Sequence, residues 1–261
     1  LPETDAARDL ALLIEAARGA GEIAQRHAGP RARTWDKPGG QGPVTEADLE
    51  VNAFLDQHLR GARPDYGWLS EESDDSAARL DRESVFIVDP IDGTRSFIEG
   101  SRTWAHALAV VRRGEVTAGV VYLPARDKLY AAAKGQGATL NGAPIRVAGR
   151  VDLTGAAVLA AKPGLAPQHW RGPVPDVSRG FRPSLAYRLG LVAEGRFDAM
   201  FTLRPSWEWD IAAGALILNE AGAAVSDRHG QTLRFNNPHP QLDGVVAANP
   251  RLHAAITGAL A

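Results

Sequence analysis

The chain has 261 residues, 44% of them hydrophobic and 23% charged, with no cysteine and a formal net charge of −2. That composition is ordinary for a globular protein long enough to bury a substantial core. It excludes disulfides, zinc–thiolate sites and thiol catalysis, and so small a net charge supplies no field to recruit a nucleic acid polymer or an anionic membrane.

Near the amino end, Leu10, Leu13, Ile14 and Ala17 recur at helical spacing, which predicts a helix from Ala6 to His27, stopped by Gly29 and Pro30. The acidic start is unlike a signal peptide. The later apolar stretch Ala105 to Leu123 is broken by Arg112, Arg113 and Glu115, so no integral membrane span is expected and the default location is the cytoplasm. Thr34 to Val44, TWDKPGGQGPV, is rich in Gly and Pro and predicts a mobile loop. A second helix follows, with Thr45 as N-cap, Asp48 three residues on, and Val51, Phe54, Leu55 and Leu59 as its apolar face.

From Ser84 the pattern changes to strands: Val85–Val88, Ala105–Val111, Val116–Leu123 and Lys128–Ala133, with GQGATLNGAPIRV as one further turn and strand. After Ala148 the order alternates: strand Ala156–Ala160, helix Leu185–Glu194, strand Asp198–Phe201, helix Ile211–Ala221, strand Gly244–Ala248, helix Pro250–Leu260. That alternation predicts an α/β half. The expected division is an α+β domain over 1–148 and an α/β domain over 149–261, with a soft boundary near 145–155.

The most informative stretch runs from Val85 to Thr94. An apolar strand ends in Asp89 and Asp92, three residues apart, followed by Gly93, Thr94 and a helix start. Strand ends in α/β layers are where ligands gather. Pro90 stiffens the turn so that both acids can face one space with the Ile91 carbonyl between them. Hard oxygen donors of this kind suit Mg²⁺, with Mn²⁺ as the alternative, rather than zinc. The Gly93 and Thr94 amides at the helix start suit a phosphate oxyanion. The competing reading is that the two acids merely cap a turn. An Asp-x-Asp-Gly-Thr phosphatase with an aspartyl nucleophile is excluded, because Pro90 stands where that nucleophile belongs.

Three ordered motifs resemble the inositol monophosphatase superfamily: Leu69-Ser70-Glu71-Glu72-Ser73, Asp89-Pro90-Ile91-Asp92-Gly93-Thr94 and Trp209-Asp210-Ile211-Ala212-Ala213-Gly214. The first departs from the family's Gly-Glu-Glu in having Ser70. The resemblance covers most of the chain and implies a layered α-β-α-β-α sandwich, a mixed α+β and α/β fold. It implies that Glu71, Asp89 and the Ile91 carbonyl hold one Mg²⁺, that Asp89, Asp92 and Asp210 hold a second, and that Glu71 assists a third, weaker one. It further implies hydrolysis of a small-molecule phosphate ester by direct attack of water, with Thr94 and Asp48 orienting and deprotonating that water and Glu71 assisting. Asp92, Gly93, Thr94, Asp210, Ser184 and Arg188 would contact the substrate. Asp48 also has a purely structural explanation, since an acid in the first helical turn complements the dipole. Asp210 has one too, as N-cap of the helix that follows. Lys37 matches the family's loop lysine, or is a solvated surface residue. Trp207 and Trp209 are expected to pack the site wall, and the seven histidines are assigned no role.

Substrate choice turns on Leu203, which aligns without gaps to the family's inositol-binding Glu, and on Pro183-Ser184 in place of Gly-Ser. Losing a polar partner costs discrimination for a polyol ring. Asp74-Asp75, Arg79-Leu80, Glu208-Trp209-Asp210 and Leu233-Arg234-Phe235-Asn236 look more like the CysQ-type 3′(2′),5′-bisphosphate nucleotidases. That resemblance implies 3′-phosphoadenosine 5′-phosphate as substrate, with Arg95, Lys162, Arg182, Arg188 and Arg204 as candidate partners of its second phosphate. The alternatives are an inositol, sugar or polyol phosphatase, and a catalytically silent binding protein. Monomer and homodimer are both compatible with the sequence, and lithium sensitivity is expected from the resemblance.

Overall fold

The computed structural model describes residues 4–29, 32–37, 39 and 42–261. Helix α1 (Asp5–His27) is capped by the Thr4 side chain and buries Leu13, Ala16, Ala17, Ala20 and Ala24, a helical stripe of mostly small residues. Strands β1 (Thr34–Asp36) and β2 (Pro43–Thr45) pair antiparallel with Thr34 opposite Thr45. The expected loop is therefore a hairpin at both its arms, with residues 38, 40 and 41 outside the described set. Pro43 ends the ladder on its outer side, where its missing N–H costs nothing. Helix α2 (Glu46–Ala62) begins with the expected capping box between Thr45 and Asp48.

Then come β3 (Gly67–Ser70), β4 (Ser84–Asp92), the short helix α3 (Thr94–Ile98), β5 (Ala105–Arg112), β6 (Glu115–Leu123), β7 (Lys128–Ala133), β8 (Ala138–Leu140) and β9 (Ala143–Pro144). These strands form a seven-stranded sheet in sequence order, parallel only between β3 and β4. Alternation along β4 feeds two layers: Phe86 and Val88 pack with α1 and α2, whereas Val85 and Ile87 join the core on the opposite face.

The second sheet has the order β11-β10-β12-β16-β14, built from β10 (Ala157–Leu159), β11 (Ser178–Gly180), β12 (Ala199–Thr202), β14 (Ala224–Ser226) and β16 (Val245–Ala248). Between them run α4 (Leu185–Ala193), the two-residue strands β13 (Ser206–Trp207) and β15 (Gln241–Leu242), α5 (Glu208–Glu220) and, last, α6 (Pro250–Ala259). The sheet is mixed rather than regularly alternating. No helix crosses between β14 and β16, so they pair antiparallel. Met200, Val245 and Ala247 face α4 and α5, while Phe201, Val246 and Ala248 pack with Leu252 and Ile256 of α6.

The layers thus run α1/α2, seven-stranded sheet, α4/α5, five-stranded sheet, α6: the α-β-α-β-α sandwich that the motifs imply. The central helices lie close on the first sheet. A Cβ added to Gly119 of β6 would stand 3.0 Å from the Ala213 carbonyl oxygen of α5. Among the described residues, no helix is long and apolar enough to cross a membrane.

Candidate metal centre

Strand β4 does not stop at the first acid. It continues through Asp92, with its register against β5 shifting between Asp89 and Asp92. The irregularity lets both acids turn toward one side, as bulges next to functional sites do. Gly93 then takes a left-handed φ of 96° and packs against the Thr103 carbonyl, 3.2 Å from where a Cβ would sit. Only glycine meets both demands.

Asp89, Asp92 and Asp210 bring carboxylate oxygens to within 4.8 Å of one another. Asp89 is buried, and neither of its oxygens has a hydrogen-bond partner. Burial, then the charges of Glu71, Asp92 and Asp210, push its carboxyl well above the usual range. Burial and Asp92 do the same to Asp210. Burial also raises Asp92, against the opposing effect of its hydrogen bonds. Asp92 Oδ2 accepts from Ser184 Oγ and from the Ala186 N–H, both at 2.6 Å, so the start of α4 grips one face of the acid.

Asp210 lies in the first turn of α5, but it is not the N-cap. The helix begins three residues earlier than its apolar face suggests, and Trp207 is the capping residue. Trp207 and Trp209 stack at 4.7 Å with 10° between ring planes, and His239 meets Trp207 edge-on. Both indoles wall a cavity of about 370 Å³ that also borders Lys37, Glu71 and Asp75.

Glu71 follows β3, its N–H held by the Val88 carbonyl at 3.2 Å. It stands outside the three-carboxylate cluster, and its charge is felt by Asp89 and Asp210. Its Oε1 accepts from Lys37 Nζ at 2.9 Å, and the same ammonium reaches Glu72 Oε1 at 2.5 Å. Lys37 is therefore no solvated surface residue. Burial lowers its pKa, but the two glutamates outweigh that and leave it raised. Burial lifts Glu72 to about 7 despite the Lys37 hydrogen bond.

Thr94 Oγ1 donates to the Ile91 carbonyl at 3.2 Å and approaches Asp48 Oδ1 at 3.5 Å. Asp48 Oδ2 accepts from Thr45 N and Oγ1 at 2.8 and 2.6 Å, leaving Oδ1 for Thr94. Burial raises Asp48 to about 6, with those hydrogen bonds opposing. One acid thus serves as helix cap and as partner of Thr94.

Arg188 is buried, its Nε donating to the Arg182 carbonyl at 2.5 Å and its guanidinium lying 4.4 Å over the Phe181 ring. Burial lowers its pKa to about 10. Arg204 is exposed and adds a second positive charge that both Arg188 and Asp210 feel. Arg95 and Lys162 are exposed, and Arg182 lies over Phe197. Leu203 is buried in the outer core with Phe201 and Leu252, and its side chain presents no acceptor.

Sequence reasoning missed His106. It is fully buried on β5 with Nδ1 hydrogen-bonded to the Pro90 carbonyl, behind the Asp89–Asp92 turn, and burial lowers it to about 4. It missed Asn52 as well, whose Oδ1 accepts from Ser70 Oγ at 2.7 Å and whose Nδ2 reaches Ser73 Oγ at 3.0 Å, bracing the Glu71–Glu72 turn. Neither has a local signal, since each partner is brought near only by the fold.

The donor set fits a hard divalent cation. Its atoms are oxygens, its charge is concentrated and buried, and no protein cation offsets Asp89 directly. Two carboxyls such as Asp89 and Asp210 can share a proton, but as anions neither can donate to the other. A divalent ion removes that conflict.

A profile of the inositol monophosphatase family matches residues 5–261. The chain is 35% identical to the inositol-1-monophosphatase of Mesorhizobium japonicum, over 96% of this chain and 95% of that one. It is 33% identical to the Nus factor SuhB of Escherichia coli, over 95% and 93%. Among solved structures, the IMPase of Thermotoga maritima superposes with a TM-score of 0.82 at 28% identity, covering 96% of each chain. The extragenic suppressor protein SuhB of Bartonella henselae does so with 0.80 at 29%, covering 96% and 97%. These relatives bear the names of inositol monophosphatases and SuhB proteins rather than nucleotidases, so the expected CysQ likeness gives way to the broader family. Motifs, layers and acid centre agree with these likenesses: the chain belongs to the inositol monophosphatase family and is a metal-dependent phosphatase.

Proposed function

We propose that the chain hydrolyses an inositol phosphate or another sugar or polyol phosphate. The observation that carries the reading is the convergence of Asp89, Asp92 and Asp210 in a chain so similar to named inositol-1-monophosphatases. In this reading Asp89, Asp92, Asp210 and the Ile91 carbonyl hold Mg²⁺, with Glu71 completing the set for two or three ions. Bound Mg²⁺ supplies positive charge that stabilises the attacking and leaving oxygens of the phosphoryl group. Thr94 Oγ1 orients the attacking water, and its proton passes by way of the hydroxyl to Asp48. A carboxyl raised to about 6 suits that task near neutral pH. The Gly93 and Thr94 amides and Arg188 orient the phosphate oxygens, while Ser184, its proton given to Asp92, holds that acid in place.

A second reading, hydrolysis of 3′-phosphoadenosine 5′-phosphate, is favoured by one observation. Buried Leu203 replaces the polyol acceptor, while Arg188 and Arg204 together offer charge for another phosphate. Phosphate release from inositol 1-phosphate and from 3′-phosphoadenosine 5′-phosphate, with Mg²⁺ and with chelator, separates the two. Preference for the inositol ester, lost with chelator, is expected. Preference for the nucleotide would replace the first reading by the second, and hydrolysis of neither would refute both.

A further inference from the structure

Five side chains outside the proposed chemistry form one connected cluster. Arg79 is 2% exposed. Its Nε and Nη2 donate to the two Asp75 oxygens at 2.6 and 2.8 Å. Its Nη1 donates to Asn236 Oδ1 at 2.6 Å, and Nη2 also reaches the Asn237 carbonyl at 3.0 Å. Glu208 is fully buried and accepts from Asn236 N at 2.6 Å and from Asn237 N and Nδ2 at 2.9 and 2.7 Å. Asn236 holds a left-handed φ of 63°, so its N–H serves the acid while its side-chain oxygen serves the guanidinium.

A buried guanidinium and a buried carboxylate are each costly unless their hydrogen-bonding capacity is met. Here the same two asparagines help meet both demands. The Arg79 stem is fixed as well, packing where a Cβ on Gly67 of β3 would come within 3.1 Å of it.

What the cluster joins gives it a consequence. Arg79 belongs to the 3-10 turn Ala77–Asp81, a few residues after Glu71. Glu208 opens α5, two residues before Asp210. The same two segments wall the cavity of about 370 Å³, with Glu71, Ser73 and Asp75 from one, and Trp207 and Trp209 from the other. Glu71 itself makes no hydrogen bond to the acid cluster that would fix its distance from Asp210. Taking Glu71 and Asp210 as cation ligands, in line with the proposed function, we propose that the Asp75–Arg79–Asn236–Asn237–Glu208 clasp sets the spacing between them, making Arg79 and Asn236 positioning residues for cation binding.

The expected size follows from populations. A ligand group that occupies its competent place about a tenth of the time weakens apparent affinity about tenfold. Asn236→Gly is the most selective probe, because glycine keeps the left-handed backbone while removing the amide. Asn236→Asp keeps an acceptor for Arg79 and tolerates the same φ. Arg79→Lys keeps the charge but cannot span Asp75 and Asn236 at once.

Mn²⁺ binding to the full chain, read by electron paramagnetic resonance, is the test, with circular dichroism and melting as checks of folding. Asn236→Gly and Arg79→Lys should weaken Mn²⁺ binding about tenfold while remaining folded, and Asn236→Asp should stay within about threefold of the parent. Parent-like affinity in a destabilised Asn236→Gly would show a mere structural staple and overturn the proposal, as would equal losses in the Gly and Asp variants. A parent chain that binds Mn²⁺ but hydrolyses none of the esters would refute the substrate reading alone, leaving the affinity comparison decisive for the clasp.

Discussion

Both oxygens of Asp89 are buried without a donor, although the acids Asp92 and Asp210 stand beside them. In the absence of a cation this is a local conflict, since each charge raises the cost of ionising its neighbours. Asp89→Asn removes one charge and introduces an amide that can donate to Asp210. The chelated variant should therefore be more stable than the chelated parent by about 1–3 kcal/mol, the usual cost of an unsatisfied buried group. Turnover should fall to background at the same time. Paired melting curves in chelator and an activity assay check both parts, and a variant less stable than its parent would contradict the conflict. Asp89 and Asp92 were legible because two acids at the exit of an apolar strand, joined to Gly-Thr, have few other uses. Asp210 was legible only through the order of the three motifs. His106 was not, because its partner is a backbone carbonyl 16 residues away, and although Arg79 and Asp75 stand in a resembling stretch, the tie from Arg79 to an asparagine 157 residues away has no local signal.

The centre is assembled by element ends: the bulged end of β4, the first turn of α2 and the starts of α4 and α5. Ser184 shows how one residue joins two of them. Its Oγ accepts from Tyr187 N at 3.0 Å as the cap of α4 and donates to Asp92 at 2.6 Å. Ser184→Ala should cost about 1–2 kcal/mol, the usual loss for a cap. It should also raise the Mg²⁺ concentration needed for half-maximal activity, since Asp92 is then held only by backbone amides at the start of α4. A melting temperature and Mg²⁺ requirement equal to the parent's would show that the contact does neither. Helices α1 and α2 were readable from spacing and caps. The β1–β2 hairpin was hidden because Gly and Pro read as loop, and the three-residue strands flanking them are too short for periodicity. Strand β4 outran its expected end because its register shift accommodates Pro90, so the first charged residue was not a boundary. The start of α5 was masked by Trp207 and Trp209, whose alternation with Glu208 resembles a strand.

Across the whole molecule, the five layers bring acids from both halves of the chain into one cluster, and its charge links stability to pH. Burial raises Asp89, Asp92 and Asp210, along with Asp48 to about 6 and Glu72 to about 7. A carboxyl raised in the folded state binds its proton more tightly there than in the unfolded chain. Its stabilising effect is full below the unfolded pKa near 4 and is lost as pH rises through the folded value. The cation-free protein should therefore lose stability from these groups as pH rises. His106 acts in the opposite sense: its folded value of about 4 lies below the ordinary 6.5, so its contribution is lost as pH falls through that window. That imidazole is present with and without cation, so the difference between the two conditions isolates the acids. Mg²⁺ stabilises the ionised carboxylates, and its binding releases the protons they otherwise share. The gap between melting temperatures with Mg²⁺ and with chelator should therefore widen steadily from about pH 5 to about pH 8. A gap that stays constant across that range would mean that the three aspartates bind no cation, because a buried acid cluster cannot exchange protons for a divalent ion without this dependence.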